Sequence, residues 1–360
     1  MQKSIQNGES FLKELTKAAD LTVCDQAASF LQSGFWGRFK AQFGWEAFAF
    51  RAVWKTKASQ YEEKSLLVLR RRLAPIFALA YVPWGPELPA DIPIQSALLE
   101  LAKCLREELP KDTVFIRFDP PWLLDNNNEE EAAMPPSFFR AEADIQPPDT
   151  VILDLTQPMK SIIEQMKPKW RYNCRLAGKK GVKVRQAEKN EITVFYKLLS
   201  ETSKRDRIAI HGFDYYKALF EFENELPEIR LYLAEHEGDV LAGIVTLFRG
   251  HDAVYLYGAS SDKKRNLMPT YALQLKAIED AKDYGCTNYD FFGIPPGNDE
   301  SHSMSGLYQF KTGFGGRIVH RPGSFDFPNC YMMYKIFRIA ENLRTISKRL
   351  KKYKKSRNYK

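Results

Sequence analysis

Two tyrosines set one residue apart, a strand-end aspartate and two blocks of lysine and arginine are the chemically suggestive features of this chain. In VYLYGASS, Tyr255 and Tyr257 alternate, so on a regular strand both side chains leave the same face. Two phenols on one face stack on a sugar or hydrogen-bond a peptide, or else fill a core. Asp290, in YDFFG, has the chemistry of a base, although an acid at a strand end is more often structural. No Ser-His-Asp or Cys-His arrangement can be read, so a covalent acyl-enzyme is not expected. The five cysteines (Cys24, Cys104, Cys174, Cys286, Cys330) form no CxxC pair, and the five histidines (His211, His236, His251, His302, His320) show no ligand spacing. Neither a metal centre nor a disulfide framework is expected, and no cofactor is called for.

Charge points to a polyanion. Lysine and arginine number 53 against 45 acids, giving a net charge of +8 and a pI of about 9.0. From Lys160 to Arg185 basic residues, Lys179 and Lys180 among them, face a single acid, Glu164. The second block runs from Arg344 to Lys360, includes Lys351 and Lys352, and has no acid. One such block reads as a solvated helix face; two make RNA, an anionic membrane surface or a phosphorylated substrate a reasonable partner. The last helix, MMYKIFRIAENLRTISKRLKKYKKSRNYK, pairs an apolar stripe with basic residues. It could track an RNA backbone or lie on an anionic inner leaflet. No stretch approaches the run of about 20 apolar residues that spans a bilayer, and MQKSIQNGESFLKEL has no apolar core of signal-peptide length. A cytoplasmic, optionally membrane-peripheral monomer is expected.

These residues sit on a pattern used twice. SLLVLRRRL and PIFALAYVPWGP read as strands; IQSALLELAKCLREEL places Leu98, Leu99, Leu101, Ala102 and Leu105 on one helix face; TVFIRFDPP is a buried strand ended by Asp119 and two prolines. Later, RLYLAEHEGDVLAGIVTLFRGHDAVYLYGASS gives three strands, PTYALQLKAIEDAKDYG a helix opened by Pro269 and closed by Gly285, and TNYDFFGIPPG a strand. A basic helix from Ser161 to Lys180 opens the second half. The fold class is α/β (α+β), with a first domain over 1–155, a second over 156–330 and a basic helix and tail over 331–360. No heptad segment suggests a coiled-coil arm.

Strand, strand, helix, strand with a splayed centre is the plan of the acyl-CoA N-acetyltransferases (GNAT type), which grip pyrophosphate with a glycine-rich loop at a helix N-terminus. Here the equivalent loops read SSDKKRNLMPTYAL and PWGPELPADIPIQ. The first keeps Lys263, Lys264 and Arg265 but has no glycine, and neither has the motif. The scaffold is kept and acyl-CoA is disfavoured as donor. Several segments resemble the FemABX family in the family's own order: FLQSGFWGRFK, YVPWGP, FIRFDPP, KPKWRYNCRLAGKKGVKV, ETSKRDRIAIHGFDYY, LYGASS, YDFFGI and GLYQFKTGFGG, from about Phe30 to Asp326.

The resemblance implies tandem acetyltransferase-like domains and transfer of an amino acid from aminoacyl-tRNA to the stem-peptide amine of a peptidoglycan precursor, lipid- or UDP-linked, building the interpeptide bridge. It puts Lys311 near the reacting ester with Phe310 beside it. A lysine there stabilises an oxyanion or a tRNA phosphate, or is a surface lysine before a hairpin. It matches Lys40, with Arg38 as alternative, to a contact with the precursor diphosphate, and tips Tyr255 and Tyr257 toward the acceptor. His211 stands at a basic position of the family, with Tyr215 or Tyr216 as the accompanying aromatic. A histidine is only partly charged at pH 7, and Arg205 and Arg207 could compensate. Lys179, Lys180, Lys351 and Lys352 are the tRNA candidates. The competing expectations are an N-acyltransferase with another donor, such as an acyl carrier, and a non-catalytic RNA-binding protein.

Overall fold

The computed structural model describes residues 10–124, 133–222, 227–295 and 304–343. The chain forms two compact units: residues up to Pro148 joined by those from Arg321 onward, and Asp149–His320. The first unit begins with β1 (Leu12–Lys17), α1 (Gly34–Ala41), β2 (Glu46–Lys55), β3 (Tyr61–Ala74) and β4 (Phe77–Val82). It continues through α2 (Ile94–Glu108), β5 (Thr113–Phe118) and β6 (Phe139–Arg140). The second holds β7 (Thr150–Asp154), α3 (Met159–Gln165), α4 (Pro168–Lys179), β8 (Lys183–Gln186), α5 (Ile192–Asp206) and α6 (Phe213–Ala218). There follow β9 (Glu228–His236), β10 (Asp239–Arg249), β11 (Asp252–Ser260), α7 (Pro269–Tyr284), β12 (Asn288–Gly293), α8 (Ser305–Thr312) and β13 (Arg317–Val319). The chain then returns to the first unit with β14 (Phe325–Pro328) and a helical stretch over 331–343.

Each unit is built on a seven-stranded sheet, ordered β1-β2-β3-β4-β5-β14-β6 and β13-β7-β12-β11-β10-β9-β8. Each has one parallel pair, β4 with β5 and β11 with β12, bridged by α2 and α7 respectively. This is the expected doubled acetyltransferase-like plan. The units divide at 148/149 and 320/321, against the expected 155/156 and 330/331, because β7 pairs with β12 and β13 whereas β14 pairs with β5. Residues 331–343 join the first unit: Tyr334 and Phe337 pack on Phe115 with ring centroids 5.4 and 4.8 Å away. Arg117 on β5 also grips Asp326 on β14 through two buried bonds of 2.6 and 2.8 Å.

Local sequence explains most elements. Leu98, Leu101, Ala102 and Leu105 form the buried face of α2. Pro269 opens α7, and Gly285 closes it at φ +96°. The expected single basic helix over 161–180 is two helices, because Pro168 lacks an N–H and pushes Lys167 out of helical geometry. Among the described residues no helix is long and apolar enough to cross a membrane.

The parallel pairs differ where it matters. In the first unit the β4–β5 pairing runs to Val82 and Phe118, and bonds from Asp119 N–H to Val82 O and from Gly85 N–H to Asp119 O carry it further. In the second, β11 and β12 pair only as far as Val254 and Asp290, although both strands run on. The second sheet is therefore open between its central strands.

Candidate functional site

Lys311 lies beside that opening. It lies in the last turn of α8 and is only 6% exposed, so the reading as a surface lysine before a hairpin falls. Its Nζ donates to Gly293 O at 2.8 Å and, more weakly, to Phe292 O at 3.4 Å, both at the end of β12. It also stands 5.2 Å from the centre of the Tyr255 ring on β11. Burial pushes its pKa down to about 7, with Asp290 opposing the shift. The carbonyls and the ring likewise favour the charged form. An ammonium has three donors; two are engaged by carbonyls, which leaves a third N–H to offer.

The helix carrying this lysine is clamped. Trp170 on α4 donates its indole N–H to Phe310 O at 2.9 Å, and Lys167 N–H donates to Gly313 O at 2.9 Å. The Phe310 ring meets Tyr271 and Phe314 edge-on at 5.3 and 5.2 Å, so it is part of an aromatic wall next to Lys311. On the other side, Phe292 adopts φ +58°, a strained conformation for a bulky residue. Asp290 accepts the Phe292 N–H at 2.7 Å and the Thr150 hydroxyl. It thereby holds the distorted strand end whose carbonyls face Lys311.

The two tyrosines do not share a face. Tyr255 pairs with Thr246 and Tyr257 with Val245, so the partner strand advances one residue while β11 advances two. This β-bulge reverses the alternation. Tyr255 turns toward Lys311 and the α7 side. Its phenol occupies space over Gly258, where an added Cβ would lie 1.8 Å from the Tyr255 oxygen. Tyr257 turns toward α6, edge-on to Tyr216 at 5.1 Å and bonded to the Tyr215 hydroxyl. His211 is exposed and its ring stacks on Tyr215 at 3.8 Å, while its backbone N–H donates to the Tyr216 hydroxyl oxygen at 3.3 Å. Thus His211, Tyr215, Tyr216 and Tyr257 form one cluster, and Lys311, Phe310 and Tyr255 another. Arg205 is engaged by Ser260 O at 2.8 Å and by Asp206 and Asp262; Arg207 is exposed just beyond α5.

The loop before α7 has its two lysines already engaged. Lys264 pairs with Glu237 and Asp239 at 3.1 Å each and Lys263 with Asp239 at 3.4 Å, which ties the loop to the β9–β10 turn. Pro269 supplies no N–H, and that of Tyr271 is used by Met268 O.

In the first unit, Lys40 on α1 lies 5.5 Å from the Trp36 ring and 5.7 Å from the Trp45 ring. Burial, followed by the nearby Arg71, pushes its pKa down to about 8. Arg71 itself lies over Trp45 at 5.5 Å. An arriving phosphate would relieve both cations. Arg71 was hidden in sequence within RRRL, and Arg38 is turned toward Asp25 at 3.9 Å. Lys179 and Lys180 are exposed at the end of α4. In the same block Arg185 is neutralised by Glu191 and Glu235. Lys351, Lys352 and His302 lie outside the described residues.

A sequence model of the FemAB family matches residues 136–235 and 221–342. Among curated proteins, the lipid II:glycine glycyltransferase of Staphylococcus epidermidis is 23% identical over 244 residues, 51% of this chain and 59% of the relative. That of Staphylococcus aureus is 22% identical over 279 residues, 58% of this chain and 66% of the relative. The match to the first thus spans about three-fifths of its length. A crystal structure of FemX superposes with a TM-score of 0.76 at 18% identity, covering 90% of this chain and all of that one; at this identity the likeness establishes the fold.

Proposed function

The chain belongs to the FemAB family, and from that premise we propose that it transfers an amino acid from aminoacyl-tRNA to the stem-peptide amine of a peptidoglycan precursor. The observation that carries this reading is Lys311, buried in the strand opening of a unit whose pre-helix lysines are already paired with carboxylates. A donor activated as an ester needs no coenzyme A loop. It needs alignment with the amine and a positive group where the carbonyl oxygen gains charge.

In this scheme the amine nitrogen attacks the ester carbonyl carbon. Lys311 donates its remaining N–H to the oxyanion. As the intermediate collapses, the bond to the ribose oxygen breaks, an amide forms, and the proton shed by the amine ends on that ribose oxygen. Phe310 and Tyr255 keep water from the ammonium and hold its direction. The Lys40 and Arg71 pair suits the precursor's diphosphate, and the His211–Tyr215–Tyr257 cluster suits its sugar or peptide.

The direct test incubates the protein with a panel of labelled aminoacyl-tRNAs and either a lipid-linked or a UDP-linked precursor. Label on a precursor is the expected result, and glycyl-tRNA with lipid II is the first pair to try, given the names of the staphylococcal relatives. Transfer from an acyl carrier, or RNA binding with no transfer from any donor, would replace this reading with one of its rivals.

Lys40→Ala is expected to raise the acceptor KM about tenfold or more and to leave the donor KM unchanged, since a charge-assisted phosphate contact contributes about 1.5–3 kcal/mol. An unchanged acceptor KM would move the contact to Arg71 or Arg38.

A further inference from the structure

We propose that the outer face of the C-terminal helix over 331–343 is a docking surface for an anionic lipid bilayer. Its inner face is spoken for. Tyr334 and Phe337 pack on Phe115, Phe77 stacks on Phe337 at 5.6 Å, and Arg338 donates to Arg140 O at 2.6 Å. The opposite face carries Met332, Ile336, Ile339 and Leu343, spaced by four, three and four residues, which is one narrow stripe on a helix. All four are between 56% and 75% exposed. Beside the helix, next to Phe77, the β3–β4 hairpin leaves Leu73 and Ile76 exposed as well.

The charge around this stripe selects the occupant. Lys335 is exposed beside it, its Nζ over the Tyr331 ring at 4.7 Å. The sequence then runs from Arg344 through Lys348, Arg349 and Lys351 to Lys360 without an acid. An apolar stripe flanked by lysine and arginine is what an interfacial helix presents to acyl chains and anionic headgroups. RNA phosphates would use the cations and gain nothing from four exposed aliphatic side chains. A second copy seated on this stripe would set one chain of net charge +8 against another. The surface is independent of the transfer reaction and can be measured without substrates.

The test is cosedimentation of the full chain with vesicles of phosphatidylglycerol and phosphatidylcholine, against phosphatidylcholine alone. Binding to the anionic vesicles is expected to be about tenfold stronger or more and to weaken with salt. The double variant Ile336→Asp with Ile339→Asp, and the milder pair Ile336→Ser with Ile339→Ser, should lower that binding, the aspartates about tenfold or more. Their thermal unfolding should stay near that of the parent. Vesicle binding by the variants equal to the parent's would overturn the proposal. So would a parent dimer that the stripe variants dissociate, or stripe-dependent binding to RNA with none to vesicles.

Discussion

Lys311→Ala is expected to lower kcat by about a hundredfold or more while the acceptor KM stays near its starting value. A pre-positioned oxyanion donor contributes roughly 2.7–4 kcal/mol in the transition state alone, and an interaction made only there appears in kcat. The groups around Nζ oppose the loss of its charge. Two carbonyls, an aromatic face and Asp290 all stabilise an ammonium that burial alone would neutralise. The balance leaves the pKa lowered to about 7, so the cation is present below that pH and is lost above it. The ratio of parent to Lys311→Ala rates removes the ionisation of the attacking amine, which both proteins share. That ratio should therefore shrink as pH rises through about 7. A ratio that grows instead would make the neutral amine the proton acceptor. A loss confined to the donor KM, relieved at saturating donor, would mark a tRNA phosphate anchor. A folded variant with neither parameter changed would remove Lys311 from the site.

The doubled plan was legible because its signals are local. Alternation, helical spacing and a bracketing proline and glycine mark β9 to β12 and α7 within a few residues of their ends. The site was legible only in part. The segment GLYQFKTGFGG singles out Lys311, but what buries it comes from afar: Tyr255 on β11, the end of β12, and a helix held by Trp170 more than a hundred residues earlier. Nothing in VYLYGASS betrays the bulge, since the segment alternates without a break; only the register against β10 shows that Tyr255 and Tyr257 part company. Pro168 was a readable break, overshadowed by the run of basic residues around it. Arg71 could not be picked out of RRRL, because what distinguishes it is the Trp45 ring it faces.

The second large effect is expected from the smallest change, Gly313→Ala. Gly313 has φ −74° and ψ −17°, a conformation open to any residue, so backbone preference gives alanine no penalty. The obstacle is steric. An added Cβ would lie 2.0 Å from a carbon of the Trp170 ring, which is rigid and pinned by its bond to Phe310 O. The backbone cannot easily yield either, because Gly313 O accepts Lys167 N–H. Relief requires α4 and α8 to move apart by about 1 Å, and Lys311 rides on α8. A displacement of that size costs roughly a hundredfold in rate where reacting groups must align, and the forced repacking costs about 1–3 kcal/mol of stability. The control is Trp170→Ala, which removes the ring. In that background Gly313→Ala should change kcat little, so the two substitutions are strongly non-additive. A large loss of equal size in both backgrounds would put the cause elsewhere than the indole. Full activity of Gly313→Ala alone would show that the Trp170 clamp does not set the position of Lys311.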